Sequence, residues 1–237
     1  MMINKIRYEF IPTTNYQNMQ ELCENLISSH IGIEIGPVIG RAGRGKTTAA
    51  IRLLVHNSDY VYCRYEGGWT LKEMLQDIAF KLTGSRPARA QGCREAIKVA
   101  LNERRRLIMM DEADRMSVKM LNILRDIHDI CHAPIVIIGE ELLWDKLNQE
   151  RRLIDRTVDP VYFEPVKLPD IFIIYNKLFG CKLTPELAKL LLEYSGGGEF
   201  RLIMKDARAI YEAMAVSGLS VIDVEVVNNV LRKRARK

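Results

Sequence analysis

The stretch IGIEIGPVIGRAGRGKTTAAIRLLV, Ile31 to Val55, decides how this chain is read. Its opening, IGIEIGPVIG, is rich in β-branched residues and suits a buried strand. Its close, from Thr47 to Val55, carries apolar residues at helical spacing. Between them, Gly40-Arg41-Ala42-Gly43-Arg44-Gly45-Lys46-Thr47 matches GxxxxGK[ST] in full, with Thr48 directly behind. Glycines at these positions let successive backbone N–H groups turn inward around phosphate oxygens. Lys46 adds a point charge at the β- and γ-phosphates, and the Thr47 hydroxyl is placed to ligate Mg²⁺. A strand before and a helix after are the context such a loop needs. Residues 40–48 are therefore read as a triphosphate-binding loop.

A second segment, RLIMMDEADRM from Arg106, supplies what the loop lacks. Leu107 to Met110 read as a buried strand that delivers Asp111 at its carboxyl end, where the ligands of open sheets gather. Asp111 is placed to hold the metal's coordination shell. Glu112 is placed to orient or deprotonate a water aimed at the γ-phosphate. Acidic pairs also cap many helices, but four apolar residues followed by Asp-Glu downstream of a phosphate loop is the more specific pattern. A carboxylate at 112 favours hydrolysis over transfer to a second substrate.

The bulk composition agrees with a folded protein. In 237 residues, 48% hydrophobic and 27% charged, there is room for one sizeable domain or two small ones, and nothing points to disorder. The net charge of +5, rich in arginine, leans toward a polyanionic partner. The five cysteines are scattered and form no CxxC pair, so they read as reduced thiols of a cytoplasmic protein. His128, Cys131 and His132 share a helix face, yet no further ligand stands at a convincing spacing, and no metal site is assigned there. MMINKIRYEF has no apolar run of signal-peptide length, and no stretch approaches a membrane span, so no membrane partner is expected.

Along the chain, residues 1–15 read as an extended arm ending in a turn at Pro12-Thr13-Thr14-Asn15, and residues 16–29 as a helix. Further buried strands are expected at Tyr60–Tyr65, Leu107–Met110, Ile135–Ile138 and Val161–Phe163. Helices at Thr47–Val55, Leu71–Lys81, Arg94–Asn102 and Val118–Ile130 separate the first four strands. That alternation predicts an α/β fold, a parallel sheet sandwiched by helices. After Pro165 every segment reads as helix, with Thr184-Pro185 as a cap and first turn and Gly180 and Gly218 as stops. The expected division is an N-terminal arm and helix (1–29), an α/β nucleotide-binding domain (30–165), and a small all-helical lid domain with a basic tail (166–237).

SGGGEFRLI, Ser195 to Ile203, is the remaining puzzle. It resembles the LSGGQ loop of transporter ATPases, but that loop precedes the acidic strand, and here it follows by more than eighty residues. The better reading ends one helix and starts another at Gly196–Gly198. Arg201 then lies on the first turn of the new helix, placed to reach a γ-phosphate, the bland alternative being an ordinary surface charge.

Together the phosphate loop, the Asp-Glu strand and a helical lid carrying GxxR resemble the AAA+ ATPases. Within that superfamily, the run from VIGRAGRGKTTAA through MDEADRMSVKMLNILRDIHD to APIVIIGEELL resembles the MuB/TnsC type, ATP-dependent target-selection proteins of DNA transposition. The resemblance implies ATP and Mg²⁺ as cofactors and a ring or helical filament of this chain around double-stranded DNA. It implies a transposase as partner, with ATP favouring assembly and hydrolysis driving disassembly. Such proteins often carry a separate N-terminal DNA-binding domain, for which residues before 30 are too few; DNA would then fall to the ATPase body. It implies an arginine supplied in trans, for which Arg156 is chosen over Arg151 and Arg152 in QERRLIDRTVDPVYF. It implies DNA-gripping loops between the second strand and Asp111, where Arg86, Arg89 and Arg94 sit on a Pro/Gly-interrupted stretch. Arg104-Arg105-Arg106 and the tail LRKRARK are further basic runs, each with a plain structural alternative. One departure stands out: the polar residue expected at the end of the fourth strand is replaced by Gly139-Glu140, which predicts slow hydrolysis or another residue orienting the water. Two other functions share the pattern, an ATPase adaptor of a secretion or protein-remodelling complex and an initiator or helicase-loader ATPase.

Overall fold

The structure, a computed structural model, describes residues 10–218 and 221–235. The first nine residues of the expected arm and the last two of the basic tail lie outside them. By its internal contacts the chain divides into two compact units.

The larger unit comprises residues 18–42 and 46–163. It runs from α1 (Thr14–Ser28, which begins in the other unit) through β1 (Ile35–Ile39), α2 (Lys46–His56), β2 (Tyr60–Arg64), α3 (Leu71–Thr83) and α4 (Ala90–Glu103). There follow β3 (Leu107–Asp111), a 3-10 turn (Ala113–Arg115), α5 (Val118–Cys131), β4 (Ile135–Gly139), α6 (Glu141–Gln149), α7 (Arg151–Ile154) and β5 (Val161–Tyr162). The strands form one parallel sheet in the order β2-β3-β4-β1-β5. A parallel sheet is covered on both faces, so its central strands are apolar throughout rather than alternating. Every residue of β1, β3 and β4 is buried accordingly. The register pairs Ile39 with Gly139 and Arg64 with Asp111, which brings the carboxyl ends of β1 to β4 to one edge of the sheet.

Local chemistry sets the helix starts. Thr70 and Glu73 form a reciprocal capping box on α3, and Ser117 caps α5. Several boundaries differ from the sequence reading, and α6 and α7 lie where it placed no element. α4 begins at Ala90 and runs through Gly92, so the arginine stretch is less interrupted than expected. α1 begins at Thr14, inside the expected turn. The reason is a cap from far along the chain: Asp170 Oδ1 accepts both the N–H (2.9 Å) and the hydroxyl (3.1 Å) of Thr14. Beside it, the Asn15 side chain pairs with the peptide of Glu164 in both directions, at 2.8 and 3.2 Å.

The smaller unit takes in, among the described residues, 10–17, the loop tip Gly43–Gly45, and those from Glu164 onward. Its helices are α8 (Leu168–Phe179), α9 (Pro185–Tyr194), α10 (Phe200–Ser217) and α11 (Val224–Ala235). They enclose a separate apolar core that includes Ile174, Tyr175, Leu191, Ile203, Ile210 and Val227. Thr184 caps α9 with Pro185 in its first turn, and Gly180 and Gly218 end α8 and α10 in the left-handed conformation, as their residue types require.

Candidate nucleotide site

The site is built at the carboxyl ends of the strands. After β1 the chain turns through Gly43 and Gly45, at φ +84° and +95°, values open mainly to glycine. Lys46 then opens α2, and its ammonium donates to the loop carbonyls of Gly40 and of Arg41 (3.0 Å). Burial is the largest influence on this lysine and lowers its pKa; the carboxylates of Glu140, Asp111, Asp114 and Glu112 oppose that and only partly offset it. A phosphate chain would relieve such a buried cation. Thr47 donates its hydroxyl to Asp111 Oδ2 at 2.7 Å, so the structure brings together the two residues that sequence reading chose for the metal. A hydroxyl and a carboxylate held in contact, one of them buried, are a hard-oxygen pair of the kind Mg²⁺ takes, and the donor set fits.

Two neighbours were not legible beforehand. Tyr62, on β2, donates its phenol to the same Asp111 oxygen at 2.7 Å. Burial, then this bond and the charge behind it, push its pKa well up. No motif marks it; it is merely an aromatic residue in a strand. Arg64, at the end of β2, donates to Glu112 Oε1 at 3.2 Å, an exposed pair. Glu112 itself sits in the left-handed region at φ +59°, uncommon for a residue with a long side chain and a conformation found at functional turns.

At the end of β4, Gly139 offers no side chain, as the sequence showed. Glu140 turns its N–H to Asp114 Oδ1 at 3.2 Å. The exposed Arg41 reaches Glu141 at 3.6 Å, a weak pairing.

In the helical unit, Gly196, Gly197 and Gly198 all have positive φ, at +68°, +78° and +108°. They turn the chain from α9 into α10, and Arg201 falls on the first turn of α10, as expected. Its N–H donates to the Gly43 carbonyl at 3.1 Å, and a Cβ on Gly43 would lie 3.4 Å from its Nε.

Residues 33–147 match the family model described as an AAA domain. The fold is that of the AAA+ P-loop ATPases. Among solved structures, the chain is similar to Cdc6p from Pyrobaculum aerophilum, with a TM-score of 0.69 and 17% identity over 96% of this chain and 69% of that one. It is similar to the Orc1 protein of Aeropyrum pernix solved with DNA (TM-score 0.65, 17% identity, 93% of this chain and 64% of that one). It is also similar to the RuvB Holliday junction branch migration motor of Thermotoga maritima (0.57, 15%, 98% and 72%). No curated protein matches the sequence significantly.

The remaining arginines of this AAA+ fold sort by geometry. Arg156 donates through Nε to Asp129 Oδ1 at 2.8 Å, and its carbonyl accepts the N–H of Ile35. Ile35 begins β1 and the phosphate loop follows its end, so Arg156 sits at the opposite edge of the sheet, about 13 Å along the strand. Arg156 also lines an open cavity of about 530 Å³ with Ile31, His128 and Asp129. Arg151 and Arg152 are exposed on α7. Arg86, Arg89 and Arg94 are all exposed, but they do not share one loop. Arg86 lies between α3 and α4 with its guanidinium 4.6 Å over the Phe80 ring, Arg89 is the N-cap of α4, and Arg94 is within the helix. The triple-arginine run proves structural. Arg104 pairs with Asp59, and Arg106 donates to Ser58 O at 3.3 Å. Arg105 donates to the carbonyls of Ile27, Ser29 and His132, tying the ends of α1 and α5. In the tail, Arg232 donates to the Tyr194 hydroxyl at 3.3 Å. No helix among the described residues is long and apolar enough to cross a membrane.

Proposed function

We propose that this chain is an ATP-hydrolysing, sequence-independent DNA-binding protein that assembles on target DNA and recruits and activates a transposase, with hydrolysis driving disassembly. The observation that carries the ATPase half is the bond between Thr47 and Asp111, which joins the phosphate loop to the acidic strand. In this reading the loop N–H groups and Lys46 bind the β- and γ-phosphates, and Arg201, on the first turn of α10, senses the γ-phosphate. Thr47 and Asp111 hold Mg²⁺, which supplies neutralisation of the phosphate charge. Glu112, released from Arg64, accepts a proton from the attacking water. The water oxygen bonds to the γ-phosphorus, the bond to the ADP oxygen breaks, and the proton passes on to solvent. Arg156, at the far edge from its own loop, completes the site of a second copy, so hydrolysis depends on assembly.

The DNA half is supported by exposed arginines on the α3–α4 segment and by likeness to a protein solved with DNA. Contacts from such side chains to phosphates carry no sequence preference and weaken steeply with salt. The transposase is inferred from the resemblance of the loop, acidic and β4 segments. An initiator or helicase-loader role is the second reading, favoured by the likeness to Cdc6p and Orc1.

Electron micrographs of the protein with random duplex and a non-hydrolysable ATP analogue test the proposal: decorated duplex is expected, and bare duplex overturns it. A salt-dependent gel shift that is lost in the Arg86/Arg89/Arg94→Ala variant checks the contact surface. Stimulation of turnover by a transposase, and not by a helicase, separates the two readings.

A further inference from the structure

Gly139 ends β4 beside the phosphate loop, its carbonyl accepting the N–H of Gly40 at 3.1 Å. A Cβ at 139 would stand 2.7 Å from Asp114 Oδ1 and 2.9 Å from both the Asp114 nitrogen and Leu143 Cδ2. The space a side chain would take is filled by a carboxylate from the turn after β3. Both the carboxylate and the backbone of Asp114 have partners. Oδ1 accepts the Glu140 N–H, and the Asp114 carbonyl accepts the ammonium of Lys146, which also bonds Met116 O at 2.9 Å. The charge of Asp114 is felt by Lys46, the residue placed for the β- and γ-phosphates.

We propose that Asp114 is the residue by which this chain tells a third phosphate from two, its carboxylate acting on the γ-phosphate and its attacking water in place of a side chain from β4. The inference rests on the nucleotide reading above. A negative charge that Lys46 feels opposes the extra charge of ATP relative to ADP. It also offers the water a second acceptor beside Glu112. Both effects need glycine at 139, because any larger residue displaces the carboxylate.

The test is equilibrium titration of fluorescent ATP and ADP analogues, with and without Mg²⁺, on the wild type, Asp114→Asn, Asp114→Ala, Gly139→Ala and the Gly139→Ala/Asp114→Ala pair. Neutralising Asp114 is expected to tighten ATP binding about fivefold while moving ADP less than about twofold. Gly139→Ala reproduces that shift, and the double variant goes no further than Asp114→Ala alone. Equal shifts for both nucleotides, no shift, or simple additivity would overturn the proposal. Asp114→Asn keeps an acceptor for Glu140 N–H and carries the test if the alanine variant fails to fold. A wild type that binds neither nucleotide, or Lys46→Ala binding as well as wild type, overturns the nucleotide site itself and is thereby distinguishable.

Discussion

Alanine in place of each of the three glycines after α9 separates a plain turn from a packed one. At Gly197, φ is +78° and nothing lies within 4 Å of an added Cβ. The cost there is the left-handed strain alone, partly offset by a stiffer unfolded chain, about 1 kcal/mol. Gly196 is similar, with its nearest neighbour at 3.7 Å. Gly198 differs: at φ +108° its Cβ would lie 2.2 Å from Val166 O, about 1 Å inside the closest tolerable carbon–oxygen approach. Backbone cannot swing aside as a side chain can. Relief requires opening the bond from Val166 N to Gly198 O, now 2.7 Å, and moving Val166 within the core of the helical unit. Strain of about 2 kcal/mol, a lost hydrogen bond of about 1 and displaced packing of about 1 bring Gly198→Ala to about 4 kcal/mol. Urea unfolding followed by circular dichroism reads the difference, and nucleotide titration should show weakened binding as Arg201 loses its place against Gly43. Equal losses of stability at 197 and 198 would refute the packing argument.

Other perturbations follow from the same geometry. Arg105→Ala leaves three helix-end and loop carbonyls without their donor and should cost about 2–4 kcal/mol, whereas Arg104→Ala, in an exposed pair, should cost under about 1; thermal denaturation of the two variants compares them. Tyr62→Phe removes one of two donors to Asp111 Oδ2 and should change the affinity for Mn²⁺, read by electron paramagnetic resonance, several-fold while ADP binding without metal stays within about twofold. At Glu34, burial raises the carboxyl pKa, but bonds from Ser29, Gly32 and Ile31 and the charge of His128 outweigh it and hold the value below the ordinary range. A depressed folded pKa means this contribution is complete at neutral pH and is lost as pH falls through the folded value, below about 4.3. Stability measured from pH 7 to pH 3 should therefore decline less steeply in Glu34→Gln; parallel curves would contradict it.

The elements were legible because their signals are local. Ile35–Ile39, Leu107–Asp111 and Ile135–Gly139 are unbroken apolar runs, and a strand buried on both faces demands that. Lys46, Thr47 and Asp111 were legible because a phosphate loop and its acidic strand impose residue types at set spacings. Tyr62 was not, since a tyrosine in a strand has the same pattern whether its hydroxyl meets water or a buried carboxylate. The arginine triplet 104–106 left two readings open for the same reason: a basic run has one appearance in sequence, and only neighbouring carbonyls and Asp59 show that its side chains pair within the unit.

By itself the sequence determined the five strands and the helices that separate the first four of them, the phosphate loop, and the carboxylate at the end of β3, because these depend on residue type and short-range periodicity. Tertiary structure alone decided that Asp114 fills the space above Gly139, that Asp170 caps a helix 156 residues earlier, and that Arg156 lies at the opposite edge of the sheet from its own loop. Each of those facts is a distance between segments remote in the chain, and side-chain spacing along a strand or helix carries no record of what packs against it.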